Sequence, residues 1–462
     1  MASGGIANLF PEALSGDEDL LGLGASKEDD EDATEKGSPP PSVATAARDP
    51  AAAMLVAADM VKMLETRCLH DFLIVVEGED FLCHKHYRRL TMVLTLLLDD
   101  VSLSGFLKLL PKAELHAHLN GSLSASTVDK LAKLRGAANA TSPVADEAIV
   151  GKNDDKSFEV AFRKFSIVRK LTATPEAVRL ATRETVLEFA ADGVRYLELR
   201  STPRRTEWMS KSECVDAILS GIRDARSAQI LAKLLLSVDR AHAAEEAIEI
   251  VDLAIELRRQ NEPVVGIDLC GPPKLDARHL MPALRKAQSH GLKLSLHLAE
   301  CPENTSDVPE LLSLNPERIG HATFLDTSTL ESMPTTSIGG TGFEVCLTSN
   351  RLCSTAPSPK HHAILQRLHC LEWSADDGSS ACDLSSIART DRLAICLATD
   401  DKGVFGTDLS TEYLRFCEAY DVADRRAAFN LSARCLSKGF ASDEEIRQLY
   451  AKHWRPLAEK LF

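Results

Sequence analysis

Residues 292–300 read LKLSLHLAE, a short apolar run, Leu292–Leu298, that carries His297 near its end and Glu300 just beyond. A run of this length and composition reads as a β-strand buried on both faces. Seven more runs follow residue 110: Ala113–Leu119, Arg195–Thr202, Lys233–Asp239, Val264–Gly271, Arg318–Leu325, Phe343–Thr348 and Leu393–Thr399. Between most of them lie segments of helical character, among them Pro175–Asp192, Ser210–Ile230 and Ala243–Gln260. Eight β units with intervening helices in about 350 residues predict an α/β fold, a (β/α)₈ barrel with insertions. In such a barrel the chemistry sits at the carboxyl ends of the strands. Here those ends read His-Ala-His, Arg-Ser-Thr-Pro, Val-Asp-Arg, Cys-Gly, His-Leu-Ala-Glu, Gly-His-Ala and Thr-Asp-Asp. Core packing does not explain polar residues gathered at one end of so many runs.

Several of these residues suit one metal site. Three imidazoles and a carboxylate hold zinc as a tetrahedron and leave room for a reactive water. His116, His118, His297 and Asp400 can supply them. On a strand, residues two apart share a face, so His116 and His118 can both point into the barrel mouth. Glu300 and His321 then stand as the proton handlers that a hydrolytic metalloenzyme needs. A lone histidine at a strand end is usually structural, but four candidate ligands with an acid reverse that reading.

Composition sets the surroundings. The chain has 462 residues and a net charge of −15. Residues 1–50 hold eleven Asp or Glu against three Lys or Arg, so the remaining 412 carry only −7. With Glu28–Asp32 and Pro39-Pro40-Pro41, that segment reads as a disordered acidic tail and linker. Residues 51–105 read as an N-terminal helix and hairpin, and 106–462 as the barrel. The hairpin, His70–His86, is similar to the opening strands of BTB/POZ domains but too short to close such a core. Twelve cysteines without any Cys-x-x-Cys pair exclude a zinc ribbon and a dithiol redox motif. Neither a signal peptide nor a membrane-length apolar run is present, which predicts a cytoplasmic protein without membrane contact. A monomer is expected.

The motifs ELHAHLNGS, YLELRSTPR, GIDLCG, HLAE, RIGHATF, CLTSN and ATDDKGVF resemble the adenosine deaminase family. More closely they resemble its adenosine deaminase-like branch, the N6-methyl-AMP deaminases, from about Leu110 to the C-terminus. The resemblance implies a metal-dependent hydrolase barrel in which His116, His118, His297 and Asp400 bind one zinc. It implies that Glu300 donates a proton to the purine nitrogen beside the reacting carbon. His321 would orient the attacking water and help deprotonate it. Gly271 would offer its backbone N–H to the purine, and Asp401 would bond the far edge of the ring. The products would be inosine monophosphate and methylamine or ammonia. His118, Arg169, the turn Ser201-Thr202-Pro203-Arg204 and Asp239 match substrate-contacting positions, although the branch usually has His where this chain has Arg169.

Asn120 bears on the substrate. Adenosine-specific members carry Asp at that position, where it meets the sugar 5′-hydroxyl. A carboxylate there would repel a 5′-phosphate by several kcal/mol, on the order of Coulomb's law in a low-dielectric site, and a neutral amide would not. The Ser201–Arg204 turn adds hydroxyls and a guanidinium suited to a phosphate. Plainer readings stand beside these. Asn120-Gly121 is also a turn dipeptide, Ser201–Arg204 a solvated loop, Arg169 a solvent-facing helix residue. Asp239 is equally a helix cap, Gly271 a turn glycine, and Asp401 a support for the neighbouring ligand. Val264–Gly271 lacks a lysine that could bridge two metals, which leaves one zinc. No Pro-Cys-x-x-Cys motif is present, so nucleic acid is not an expected substrate. The turn-rich stretch within 366–390 reads as a loop, a lid or a gene-model error. Adenosine or adenine deamination, and a non-catalytic barrel scaffold, remain the alternatives to a nucleotide deaminase.

Overall fold

The computed structural model describes residues 101–135, 158–303, 305–332, 340–368 and 394–462. The tail at 1–50, the hairpin region up to residue 100 and residues 369–393 of the turn-rich stretch therefore lie outside the described residues. A helix, Leu103–Leu109, crosses the boundary expected at residue 105 and buries Phe106 and Leu107.

Eight parallel strands follow in chain order, each paired with the next: β1 (Lys112–His118), β2 (Val194–Ser201), β3 (Leu231–Asp239), β4 (Val264–Cys270), β5 (Lys293–Leu298), β6 (Arg318–His321), β7 (Gly342–Val345) and β8 (Ala394–Leu397). Parallel neighbours need crossovers, and amphipathic helices supply them. Thr174 caps the helix Pro175–Ala191, whose first residue is a proline that needs no N–H partner. Ser210 and Glu213 form a capping box at the start of Lys211–Asp224. All seven residues of β4 are buried, as an inner strand covered by helices requires.

Closure between β8 and β1 happens beyond the end of β8. Asp400 bridges Ala117: its N–H donates to the His116 carbonyl at 2.9 Å, and its own carbonyl accepts from His118 N–H at 3.0 Å. Below that bridge, the Glu114 carboxylate accepts from the N–H groups of His116 (2.8 Å) and Thr399 (3.0 Å), standing in for the missing ladder. The closing seam thus places His116, His118 and Asp400 side by side.

The last three strands are shorter than the sequence suggests, for a conformational reason. His321 and Ala322 adopt φ of 60° and 55°, which ends β6 at His321 instead of Leu325. Leu347–Leu352 coils into a helix, so β7 stops at Val345. Ala299 (φ 48°) and Asp400 (φ 59°) likewise turn left-handed at the ends of β5 and β8. Such backbone is costly for non-glycine residues and gathers at functional sites. Among the described residues no helix is long and apolar enough to cross a membrane.

Candidate active site

Four imidazoles meet at the mouth. The His116 ring centroid lies 4.6 Å from that of His297, 5.1 Å from His321 and 5.3 Å from His118. His118 Nε2 is 3.2 Å from His297 Nε2 and 3.5 Å from Asp400 Oδ1, and His116 Nε2 is 3.4 Å from the same oxygen. Ligand atoms bonded to zinc at about 2.0–2.1 Å stand about 3.3–3.4 Å apart in a tetrahedron. The three separations match that edge. His116 Nε2 is moreover buried with no hydrogen-bond partner, although a polar atom so placed ordinarily has one. The residues present therefore fit a dication bound by nitrogen and carboxylate oxygen.

The rings are held from behind. Glu344, on β7, accepts from His116 Nδ1 at 2.6 Å. Asp268, on β4, lies 3.1 Å from His297 Nδ1. Arg200, on β2, pairs with both carboxylates, at 2.8 Å to Asp268 and 2.9 Å to Glu344. Ser237 and Ser295 add hydrogen bonds to Asp268 and Glu344, and Arg318 joins Glu344 to Glu198. These bonds run from β2 to β7, so the network fills the barrel interior beneath the rings. Carboxylates on the far ring nitrogen fix each imidazole's tautomer and leave Nε2 facing the centre. Ser349 similarly donates to Asp400 Oδ2 at 2.7 Å.

His321 sits with this group, a ring nitrogen within 4.8 Å of those of His116 and His297, and its Nε2 is 3.8 Å from Glu300 Oε1. Burial holds the His321 imidazole well below its ordinary value, so it is neutral and able to take a proton. Burial, reinforced by Asp400, pushes the Glu300 carboxyl up to about 8. Asp401 is raised well above the carboxylate range by burial, by Asp400 and by Glu300. Its Oδ1 has no partner and occupies the space over Gly121, where a Cβ would fall 1.6 Å away. The turn at Asn120-Gly121 is thus shaped by the Asp401 side chain it must clear.

Gly271 and Asp239 form a second close approach. Gly271 has φ 101°, and a Cβ on it would meet Asp239 Oδ1 at 2.2 Å. Asp239 also accepts from Ala241 N–H at 2.8 Å, so it closes a local turn while bordering Gly271. Thr202 Oγ1 lies 3.9 Å from Cys270 Sγ at the same rim; Ser201 and Pro203 are buried.

On the other side of the mouth, Arg204 donates to the Thr172 carbonyl (2.5 Å) and to its hydroxyl (2.6 Å). The Thr172 hydroxyl in turn reaches Asn120 Oδ1 at 3.5 Å. Arg169, exposed near the end of the helix Phe158–Leu171, is close enough for its charge to be felt at Arg204. Asn120, Arg204 and Arg169 therefore gather, with Thr172 as a link that sequence reading missed. Reading also missed Arg200, Asp268, Glu344 and Ser349. Arg200 and Asp268 stand inside the quoted motifs, and Glu344 inside the run Phe343–Thr348, as charges within otherwise apolar strands, which was the available signal.

The family model for adenosine deaminase matches residues 111–369. N6-Methyl-AMP deaminase of Danio rerio is 35% identical over 374 residues, covering 78% of this chain and 99% of that protein. N6-Methyl-AMP deaminase of Homo sapiens is 36% identical over 368 residues, covering 78% and 96%. Among solved structures, arabidopsis ADAL complexed with IMP has a TM-score of 0.65 at 32% identity, covering 77% of this chain and 99% of that one. The order of the eight parallel strands accords with these matches, and the chain belongs to the adenosine deaminase family.

Proposed function

We propose that this chain hydrolyses the six-position amine of N6-methyl-AMP, and of other N6-substituted purine nucleoside monophosphates, to inosine monophosphate. The observation that carries the reading is the cluster of His116, His118, His297 and Asp400 beside buried His321 and half-buried Glu300. It accords with relatives named N6-methyl-AMP deaminases and with a similar structure holding IMP. One zinc, held by His116, His118, His297 and Asp400, would supply Lewis acidity that makes water nucleophilic at neutral pH.

The remaining chemistry falls to side chains. Neutral His321 takes a proton from the water that attacks carbon six. Glu300, protonated because it is buried, delivers its proton to the adjacent ring nitrogen. Asp401, also protonated, donates to the far edge of the ring, and the Gly271 N–H meets the purine where no side chain intervenes. The carbon–nitrogen bond then breaks as the amine takes up the proton held by His321, the new hydroxyl returns its proton to Glu300 to leave the carbonyl, and methylamine departs. His118 and Asp239 border the sugar and base. Asn120, Arg204 and Arg169, with Ser201, Thr202 and Pro203 shaping the turn, receive the 5′-phosphate. A neutral amide and two guanidiniums favour a dianion there. No disulfide joins the described cysteines, which suits the reducing cytoplasm proposed for this enzyme, acting as a monomer.

The test is an ultraviolet assay of purified, zinc-loaded protein on N6-methyl-AMP, AMP and adenosine. Turnover of the methylated nucleotide to inosine monophosphate is expected. Turnover of adenosine alone would refute the phosphate assignment, and none at all would favour the scaffold alternative.

A further inference from the structure

Beyond the proton donor itself, one buried guanidinium governs the segment that carries it. Arg240 follows the last residue of β3, is 4% exposed and reaches across two neighbouring strands. Its Nη2 donates to the His297 carbonyl on β5 at 2.8 Å. Its Nη1 donates to the Leu275 carbonyl, in the loop after β4, at 2.7 Å and pairs with Asp307 Oδ2 at 2.5 Å. Asp307 is fully buried and also accepts from Ala277 N–H at 3.0 Å. Arg240 thus holds the segment at His297 and at Asp307, and Glu300 lies between those two anchors. Ala299, with φ 48°, gives the segment its left-handed turn just before Glu300. Lys274–Glu303, at 3.0 Å on the same segment, joins two exposed groups and is weak by comparison.

We propose that Arg240 and Asp307 form a clasp that positions Glu300 for proton donation. This rests on the reading of Glu300 as the acid. Both are positioning residues: Arg240 holds the His297 carbonyl before Glu300 and the Asp307 side chain after it, and Asp307 is tied in turn to the Ala277 N–H. Proton transfer needs the donor within hydrogen-bond reach of the ring nitrogen, and an error of about 1 Å at such a group can cost 10²-fold. A segment released at Asp307 would let Glu300 wander by that much while the imidazoles, held by Glu344 and Asp268, stay in place.

The test is a double-mutant cycle. Arg240→Gln and Asp307→Asn are each made in the wild-type and Glu300→Gln backgrounds, and kcat, KM, zinc content and melting temperature are read. The expected result is a kcat lower by roughly tenfold to a hundredfold, with KM and zinc content nearly unchanged. In the Glu300→Gln background the clasp variants should cost almost nothing more. A full additional loss in that background, or a loss of zinc, would overturn the clasp and assign the pair to the metal site. Failure of both variants and of Arg240→Lys to fold would likewise overturn it, making the pair purely structural. Wild-type activity in Glu300→Gln itself would instead refute the underlying reading of the acid.

Discussion

The two sides of the barrel mouth are built to different standards. Around His116 and His297 each ring is backed by a buried carboxylate, and Arg200 ties both carboxylates together. On the side of Asn120 and Arg204, one hydroxyl, that of Thr172, links the two residues, and Arg169 stands exposed. The first side is over-determined and the second sparse. Geometry that must position reacting atoms needs rotamers locked by packing and charge. The second side, in its proposed role of receiving a flexible phosphate, needs charge more than precision. Such a division lets substrate class change without disturbing the reaction.

The largest break in this contrast is Arg200→Ala. It strips a counter-charge from Asp268 and Glu344 inside the barrel, and losing one partner of a buried pair costs about 3–5 kcal/mol. The melting temperature and zinc content should fall together; an unchanged melt would remove the structural role given to the network. Next is Glu300→Gln, which should lower kcat by about 10²–10⁴-fold while zinc content and melt stay near wild type. The pH profile of the wild-type enzyme follows from the same group. Glu300 acts only when protonated, and burial raises it to about 8, so activity falls as pH rises through its pKa. A bound dication pulls that value down, so the alkaline limb lies at or below 8. The limb should vanish in Glu300→Gln, and a limb that persists would belong to another group.

Effects on the sparse side should be smaller and selective. Arg204→Ala removes a charge-assisted contact worth about 1.5–3 kcal/mol, raising KM for a nucleotide tens-fold and leaving a nucleoside unaffected. Thr172→Val should cost about 1 kcal/mol by the same measure, with the melt unchanged. Equal losses on nucleotide and nucleoside would show that the two sides are not separable.

The over-determined side was also the more legible one. The β-runs ended in His116-Ala-His118, His297 and Asp400, and parallel strand order set those ends side by side. The paired motifs did not show where β6 to β8 would stop. The end of β6 is set by the left-handed backbone at His321 and Ala322, which no residue-type signal marks in a non-glycine, and that of β7 by the helix Leu347–Leu352. Arg200, Asp268 and Glu344 were visible as charges in apolar runs, but Arg200 lies 68 positions from Asp268 and 144 from Glu344, and only the closed barrel joins them. Thr172 was hidden for the opposite reason: a threonine near the end of a helix carries no mark until Arg204 is seen beside it.

The central claim is that reaction and substrate class are held by separable parts, and Asn120→Asp tests it most directly. The quantity to measure is the ratio of kcat/KM for N6-methyl-AMP to that for N6-methyladenosine, in wild type and variant at equal zinc content. The account predicts a wild-type ratio well above one that collapses on the order of a hundredfold in the variant, as expected for a new charge facing phosphate. An unchanged ratio, or equal losses on both substrates accompanied by loss of zinc, would contradict it.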